Sequence, residues 1–420
     1  MKLRRSLRLW KPRLRPFSGR KLAPELRPDR VGALAVGLSG GVRDPGLLTL
    51  LSRVDQAPVL GGNCVDVYFD GAAAFSAMDQ AFEGARTEIL AESYIWKDDA
   101  TGQRILEALG RAAERGVAVR VLADAWGSFS TRRRYWKRMR ERGIEVRLFN
   151  PLFPHLFAQP LRDHRKIIVV DRKIAFTGGM NVADEYCVGT GGESGRAWRD
   201  THARVEGAAA WEMTTVFSEA WGASGGSDLD LQPLAPPGEG AVRVLVLDSR
   251  PGRGHGETAS ALAAIVAASR ERIWITNAYF APRGRAIDML VGATRRGVDV
   301  RLLLPGRTDV PVVRHAGHGW YDTLLAAGIR VYEYQPAILH AKTMVADDFV
   351  SFIGSSNLDF RSFHLNSECN FLVFDDGVGQ TLSAAFERDL LSSREIGADW
   401  IRTRSHRLGD SLARRLGPLL

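Results

Sequence analysis

The sequence predicts an α/β protein of two pseudo-symmetric units, each a mixed sheet layered between helices (α-β-α), with the active site between them. Two observations lead to this reading. First, the 420-residue chain repeats itself: His164-Arg-Lys166 followed by Asp171, Gly178 and Asn181 recurs as His340-Ala-Lys342 followed by Asp347, Gly354 and Asn357, at identical offsets. Second, short apolar β-branched runs alternate with helical patterns inside each copy, as strands joined by helical crossovers require. Composition agrees. With 45% hydrophobic and 25% charged residues the chain can bury a sizeable core, and no run approaches the roughly 18–20 apolar residues that a membrane-spanning helix needs.

Residues 1–60 form a basic amino-terminal arm and lead-in. Residues 1–21 hold nine Lys/Arg and no acid, whereas the rest of the chain is balanced at 48 basic against 48 acidic residues. Leu3, Leu7, Trp10, Leu14 and Phe17 recur at helix-like spacing, and Pro12 and Pro16 confine any helix to its first turns. Such an arm suits an anionic surface. A solvated or nucleic-acid-binding tail and an organelle transit peptide share its composition.

The first unit spans 61–223. Within it Glu88–Trp96 and Val117–Ala123 read as strands, and Gln103–Arg115 and Arg132–Arg142 as helices, the latter a solvated basic face. Residues 224–241 are rich in Gly, Ser and Pro and read as a linker. The second unit spans 242–395 and repeats the flanks: Glu114–Leu122 parallels Arg295–Leu303, and Arg142–Arg147 parallels Ala327–Tyr332. Residues 396–420 form a basic amphipathic tail, with Arg402, Arg404, Arg407, Arg414 and Arg415 against Asp410. Cys64, Cys187 and Cys369, odd in number and without CxxC spacing, argue against a disulfide framework or a structural zinc site, and fit a reducing, cytosolic environment.

Each His-x-Lys pair leads into an apolar run, Ile167–Val170 or Thr343–Ala346, so both pairs are expected on strands with the two side chains on one face. Two such faces brought together would form a pocket of two His, two Lys and two Asn. Fixed ammonium and amide donors of this kind offset the charge of a phosphodiester, a role that metal ions fill elsewhere. Paired histidines suit covalent transfer in two steps, one attacking phosphorus while the other, protonated, serves the leaving alkoxide. Each imidazole needs an orienting carboxylate, and Glu368 and Asp200, each expected on a downstream strand, are the candidates. Asp171 and Asp347 close the strands that the histidines open, which favours a structural hydrogen-bonding role. A metal site is disfavoured because a lysine beside each histidine repels a cation. His315 and His318 are expected to face solvent, and His202 to be a satisfied strand residue.

These residues resemble the phospholipase D superfamily, whose signature is two His-x-Lys-x4-Asp motifs, each followed by Gly-Gly or Gly-Ser and Asn. The segments Ala91–Trp96, Leu122–Ser128, Trp198–His202, Leu303–Asp309, Tyr332–Pro336 and Gly354–Ser362 are similar to the bacterial cardiolipin synthase branch, over roughly residues 50–395. The resemblance implies the phospholipase D fold. It also implies a phosphatidyltransferase working on phospholipid substrates without cofactor or metal, typically joining two phosphatidylglycerols and releasing glycerol. His164 would be the nucleophile. Many members of the branch begin with two membrane-spanning helices; this chain begins with a basic arm and resembles the shorter subgroup without them, which implies peripheral attachment at the cytoplasmic side of an anionic membrane. Ala278 stands where proline is expected, which bears on lipid choice. A lipid hydrolase using the same site is the alternative. A nuclease is disfavoured, since the charge outside the arm is balanced and no nucleic-acid partner is expected.

Overall fold

The computed structural model describes residues 22–151, 161–187, 197–231, 238–251, 256–397, 400, 410 and 413. The basic arm 1–21, most of the tail and residues 232–237 of the linker lie outside the described residues.

The internal repeat becomes two sheets of matching strand order. In the first half the order is Cys64–Tyr68, His202–Glu206, Ile174–Gly178, Lys166–Val170, Glu88–Ser93, Ala118–Asp124, Glu145–Phe149. The second half runs Gly240–Ser249, Asn366–Phe374, Val350–Gly354, Lys342–Ala346, Arg272–Asn277, Asp299–Pro305, Arg330–Tyr334. In both halves the last three of these strands are parallel and the others antiparallel, and in the second half Ser393–Ile396 adds an antiparallel edge beside Arg330–Tyr334, so the sheets are mixed. The parallel pairs arise from helical crossovers. Ala100–Glu114, for example, returns the chain from Glu88–Ser93 to Ala118–Asp124, buries Ile105, Leu106, Leu109 and Ala112, and is N-capped by Asp99, which accepts from the Gly102 amide at 3.0 Å.

Each His-x-Lys strand turns back through a tight hairpin. Asp171 and Arg172, and likewise Asp347 and Asp348, hold positive φ of 50–57° at its centre, the geometry that matches the twist of the flanking strands. The Asp171 carboxylate accepts from the amides of Arg86, Thr87 and Glu88 at 2.7–3.0 Å, and Asp347 from those of Arg270, Glu271 and Arg272 at 2.9 Å. Each therefore ties its hairpin to the start of the neighbouring strand, Glu88–Ser93 or Arg272–Asn277, which is antiparallel to the histidine strand.

One buried cluster joins the facing sides of both sheets, with Ile167, Val169, Val345 and Phe371 meeting the helices Ala208–Ala223 and Asp376–Leu390. The outer faces are covered separately. The lead-in packs on the second half: helices Pro28–Val36 and Pro45–Asp55 share a core with Glu257–Ala268. Leu60–Gly62, at the expected start of the first unit, pairs with Gly240–Ser249. The helix Arg133–Glu141 is basic outside and buries Tyr135, Trp136 and Met139. Cys64, Cys187 and Cys369 are unpaired. Among the described residues no helix is long and apolar enough to cross a membrane.

Candidate active site

The two histidines are held at a seam where the halves exchange short backbone pairings. Arg162–Asp163 runs parallel to Asn366–Ser367, and the next amide, that of His164, donates to the Ser367 carbonyl at 2.9 Å. In the mirror arrangement Arg199 bridges to Leu339, and the His340 amide donates to the Arg199 carbonyl at 2.8 Å. The residue after each acceptor is a carboxylate aimed at the imidazole. Glu368 Oε2 lies 3.0 Å from His164 Nδ1, and Asp200 Oδ2 lies 2.7 Å from His340 Nδ1. Each imidazole is thus oriented by an acid from the other half, leaving both Nε2 atoms for chemistry. His164, His340, Asp200 and Glu368 are all buried.

The lysines fold back against the same seam. Lys166 Nζ donates to the His164 carbonyl at 2.6 Å; Lys342 Nζ donates to the His340 carbonyl and lies 3.0 Å from His340 Nδ1. Burial dominates the electrostatics. It pulls Lys166 down to about 7 and Lys342 to about 8, with Glu368 and Asp200 opposing the shift. Burial also lowers His164 in spite of Glu368, and takes His340, with Lys342 adding to the effect, to about 4. For Glu368 burial acts upward, but His164, Lys166 and Ser355 outweigh it and hold the carboxyl below its ordinary value. Rings provide the dry walls: Tyr94 sits 4.9 Å from His164, while Tyr186, Trp198 and Tyr279 sit 5.5, 5.4 and 5.8 Å from His340.

The asparagines diverge. Asn181 accepts from the Ile95 amide at 3.1 Å and donates to the Tyr186 hydroxyl at 2.7 Å, so its amide group braces the first half. Asn357 Oδ1 is buried without a hydrogen-bond partner among the described residues. Gly178 and Gly354 permit the close approach of the next strand: a Cβ at Gly178 would lie 2.4 Å from the Thr201 carbonyl oxygen, and one at Gly354 2.2 Å from Asn370 Oδ1.

The "Cardiolipin synthase, PLD-like domain" family matches residues 78–221 and 262–390. The chain belongs to the cardiolipin synthase family. Cardiolipin synthase 1 of Bacillus anthracis is 33% identical over 419 residues, covering 96% of this chain and 81% of the relative. Cardiolipin synthase A of Pseudomonas aeruginosa is 36% identical over 383 residues, covering 89% and 76%. Among solved structures, phosphatidylserine synthase of Haemophilus influenzae superposes with a TM-score of 0.66 at 13% identity, covering 88% of this chain and 97% of that one, a likeness of fold.

The structure departs from the sequence-based expectations at several of these residues. The strands begin at Lys166 and Lys342, and the histidines stand just before them. Asp200 likewise precedes its strand, His202–Glu206, because it belongs to the seam, whereas Glu368 lies inside Asn366–Phe374. His202 is buried, burial takes it to about 4, and its Nδ1 has no hydrogen-bond partner among the described residues. His318 does not face solvent. It is buried on the helix Pro311–Ala326 with Nε2 3.0 Å from Glu333, while the half-exposed His315 meets Asp410 at 2.8 Å. Glu333, on the neighbouring strand Arg330–Tyr334, supplies the buried partner that makes the inward position of His318 tenable.

Sequence reasoning missed Arg165 and its partners. The guanidinium is buried and meets Asp248 at 3.0 and 2.5 Å, with Glu92 and Asp163 at 3.7 and 3.8 Å. A charged residue between His164 and Lys166 where the second copy has Ala341 was the available signal. Ser355, which donates to Glu368 at 2.5 Å, was visible as the one change from Gly-Gly to Gly-Ser.

Proposed function

We propose that this chain is a phosphatidyltransferase that joins two phosphatidylglycerols into cardiolipin and releases glycerol, through a phosphohistidine intermediate. The observation that carries this reading is the pair of crossed dyads, His164 with Glu368 and His340 with Asp200, each beside a buried lysine. Nδ1–H donation to the carboxylate leaves the His164 Nε2 lone pair free to attack phosphorus. The P–O bond to glycerol breaks as His340 Nε2–H gives its proton to the leaving oxygen. An acceptor hydroxyl then loses its proton to His340 and attacks the phosphorus, and the P–N bond returns its electron pair to His164. Lys166 and Lys342 offset the charge that builds on the phosphoryl oxygens. Burial and Lys342 take His340 to about 4, and the negative charge of a phosphodiester beside it acts in the opposite direction, favouring the protonated form that serves as acid.

Attachment in this reading is peripheral, at the cytoplasmic face of an anionic membrane, with the arm 1–21 and the basic tail as contacts. Purified protein supplied with phosphatidylglycerol vesicles and EDTA is expected to yield cardiolipin and glycerol. Phosphatidic acid in place of cardiolipin identifies a hydrolase, and no product, or product only after divalent metal is added, counts against the reading.

A further inference from the structure

The second half contains a cavity of about 750 Å³, within the range of about 300–1,000 Å³ that binds small ligands. Its floor is the outer face of the second sheet, at Ile275, Met344 and Phe352, and its walls include Leu262, Leu290 and Phe363. Asn277, Lys342 and Ser356 bring polar groups of the second histidine motif and its neighbouring strand to the lining. Lys342 and Met344 are two residues apart on one strand and share a face, so the lysine stem continues the apolar floor toward the seam. The cavity therefore combines an apolar floor that includes the Lys342 stem with charged lining residues, among them Arg27, Asp29, Arg283 and Arg285.

The first half carries larger side chains at the corresponding positions. Three residues past the strand ends Ser93 and Asn277, the first half places Trp96 where the second has Phe280. Two residues past Gly178 and Gly354, it places Met180 where the second has Ser356. Trp96 is buried and donates to the Tyr135 hydroxyl at 3.0 Å, and Tyr135 in turn donates to the Gly102 carbonyl at 2.6 Å, locking the aromatic plug. The two motifs are near-identical, yet the side chains behind them differ.

We propose that this cavity holds one acyl chain of the phosphatidyl group whose phosphate Lys342 contacts. The proposal rests on the phosphatidyltransferase reading and assigns it a chain-binding subsite on one side of the pseudo-symmetric centre. Ala259 and Met289 line the cavity from the helices Glu257–Ala268 and Gly284–Arg295 and are only half-buried, so a larger side chain can intrude there with limited strain on the core.

The test is calorimetric titration of the full chain with dioctanoyl phosphatidic acid below its micellar concentration, and with glycerol phosphate, for wild type, Ala259→Trp and Met289→Trp. Wild type is expected to bind the lipid more tightly than the headgroup. The tryptophan variants should lose about tenfold or more in lipid affinity, with headgroup affinity unchanged. Equal lipid affinity in wild type and both variants, or no advantage of lipid over headgroup in wild type, overturns the subsite. If one variant misfolds by circular dichroism, the other decides. Cleavage of a water-soluble activated phosphodiester by wild type reports on the chemistry alone, so failure of the phosphatidyltransferase reading is seen separately from failure of the cavity.

Discussion

Arg165, the residue between His164 and Lys166, reaches across the seam to Asp248 on the first strand of the second half, with Nε and Nη2 at 3.0 and 2.5 Å from one carboxylate oxygen. The guanidinium is buried and held firmly charged: its acidic neighbours, Asp248 first, outweigh the cost of burial. It therefore fixes the first histidine strand against the sheet that carries Glu368.

Removing Arg165 is expected to be severe, whereas neutralising its neighbour Glu92 should not be. Arg165→Met leaves Asp248 and Asp163 buried with less compensation, which costs about 3–5 kcal/mol in pairs of this kind. Burial, and after it Asp163, push Glu92 well above its ordinary value and favour its protonated form, so Glu92→Gln, which keeps the shape of that form, should cost under about 1 kcal/mol. Urea unfolding of the two variants measures the contrast; equal losses refute it.

Asp200→Asn and Glu368→Gln keep the shape of each dyad and remove its charge. Loss of the orienting carboxylate from a histidine lowers turnover by about 10²–10⁴-fold in comparable dyads. Both acids act through the imidazoles. Their loss should therefore appear in kcat: a nearby anion raises an imidazole, so Glu368→Gln lowers His164 and moves the acid limb downward, while Asp200→Asn lowers the proton donor His340 and weakens activity toward higher pH. A change confined to KM argues against positioning.

The lysines set the alkaline limb. Lys166 near 7 and Lys342 near 8 are cationic below those values and neutral above them, so kcat/KM should fall as pH rises through 7–8. Stability runs the other way. Both lysines are depressed on folding, so above their folded values the unfolded chain binds more protons, and their contribution to stability increases between about pH 8 and 9.5. Activity lost at pH 9 with an unchanged or higher unfolding midpoint is the expected result. Parallel loss of both points to alkaline unfolding.

Much of this site was legible because duplication preserves spacing. The two motifs named His164, Lys166, His340 and Lys342, and the apolar runs behind them named the central strands of both sheets. The pairing of Glu368 with His164 and of Asp200 with His340 was not legible, because nothing in one repeat records which half its carboxylate faces. That choice is made by the backbone exchange at Arg199 and Ser367, a contact between residues more than a hundred positions apart. The fate of Asn181 was hidden similarly: its bond to Tyr186 depends on a short helix, Asp184–Cys187, which the second copy does not share in sequence.

Near-identical motifs need not do identical work, and the structure already distinguishes them. Lys342 Nζ contacts His340 Nδ1, whereas no such contact is formed between Lys166 and the His164 ring among the described hydrogen bonds. With His164 as nucleophile, His164→Ala abolishes the covalent step, and His340→Ala removes the group that serves the leaving and entering oxygens. A donor with a good leaving group needs little protonation, so it should partly restore intermediate formation in His340→Ala and leave His164→Ala inactive. Acid-quenched mass spectrometry after brief exposure to such a donor locates the adduct. Label on His164 that accumulates in His340→Ala is expected. Label on His340, or label persisting in His164→Ala, exchanges the two roles while leaving the two-histidine chemistry in place.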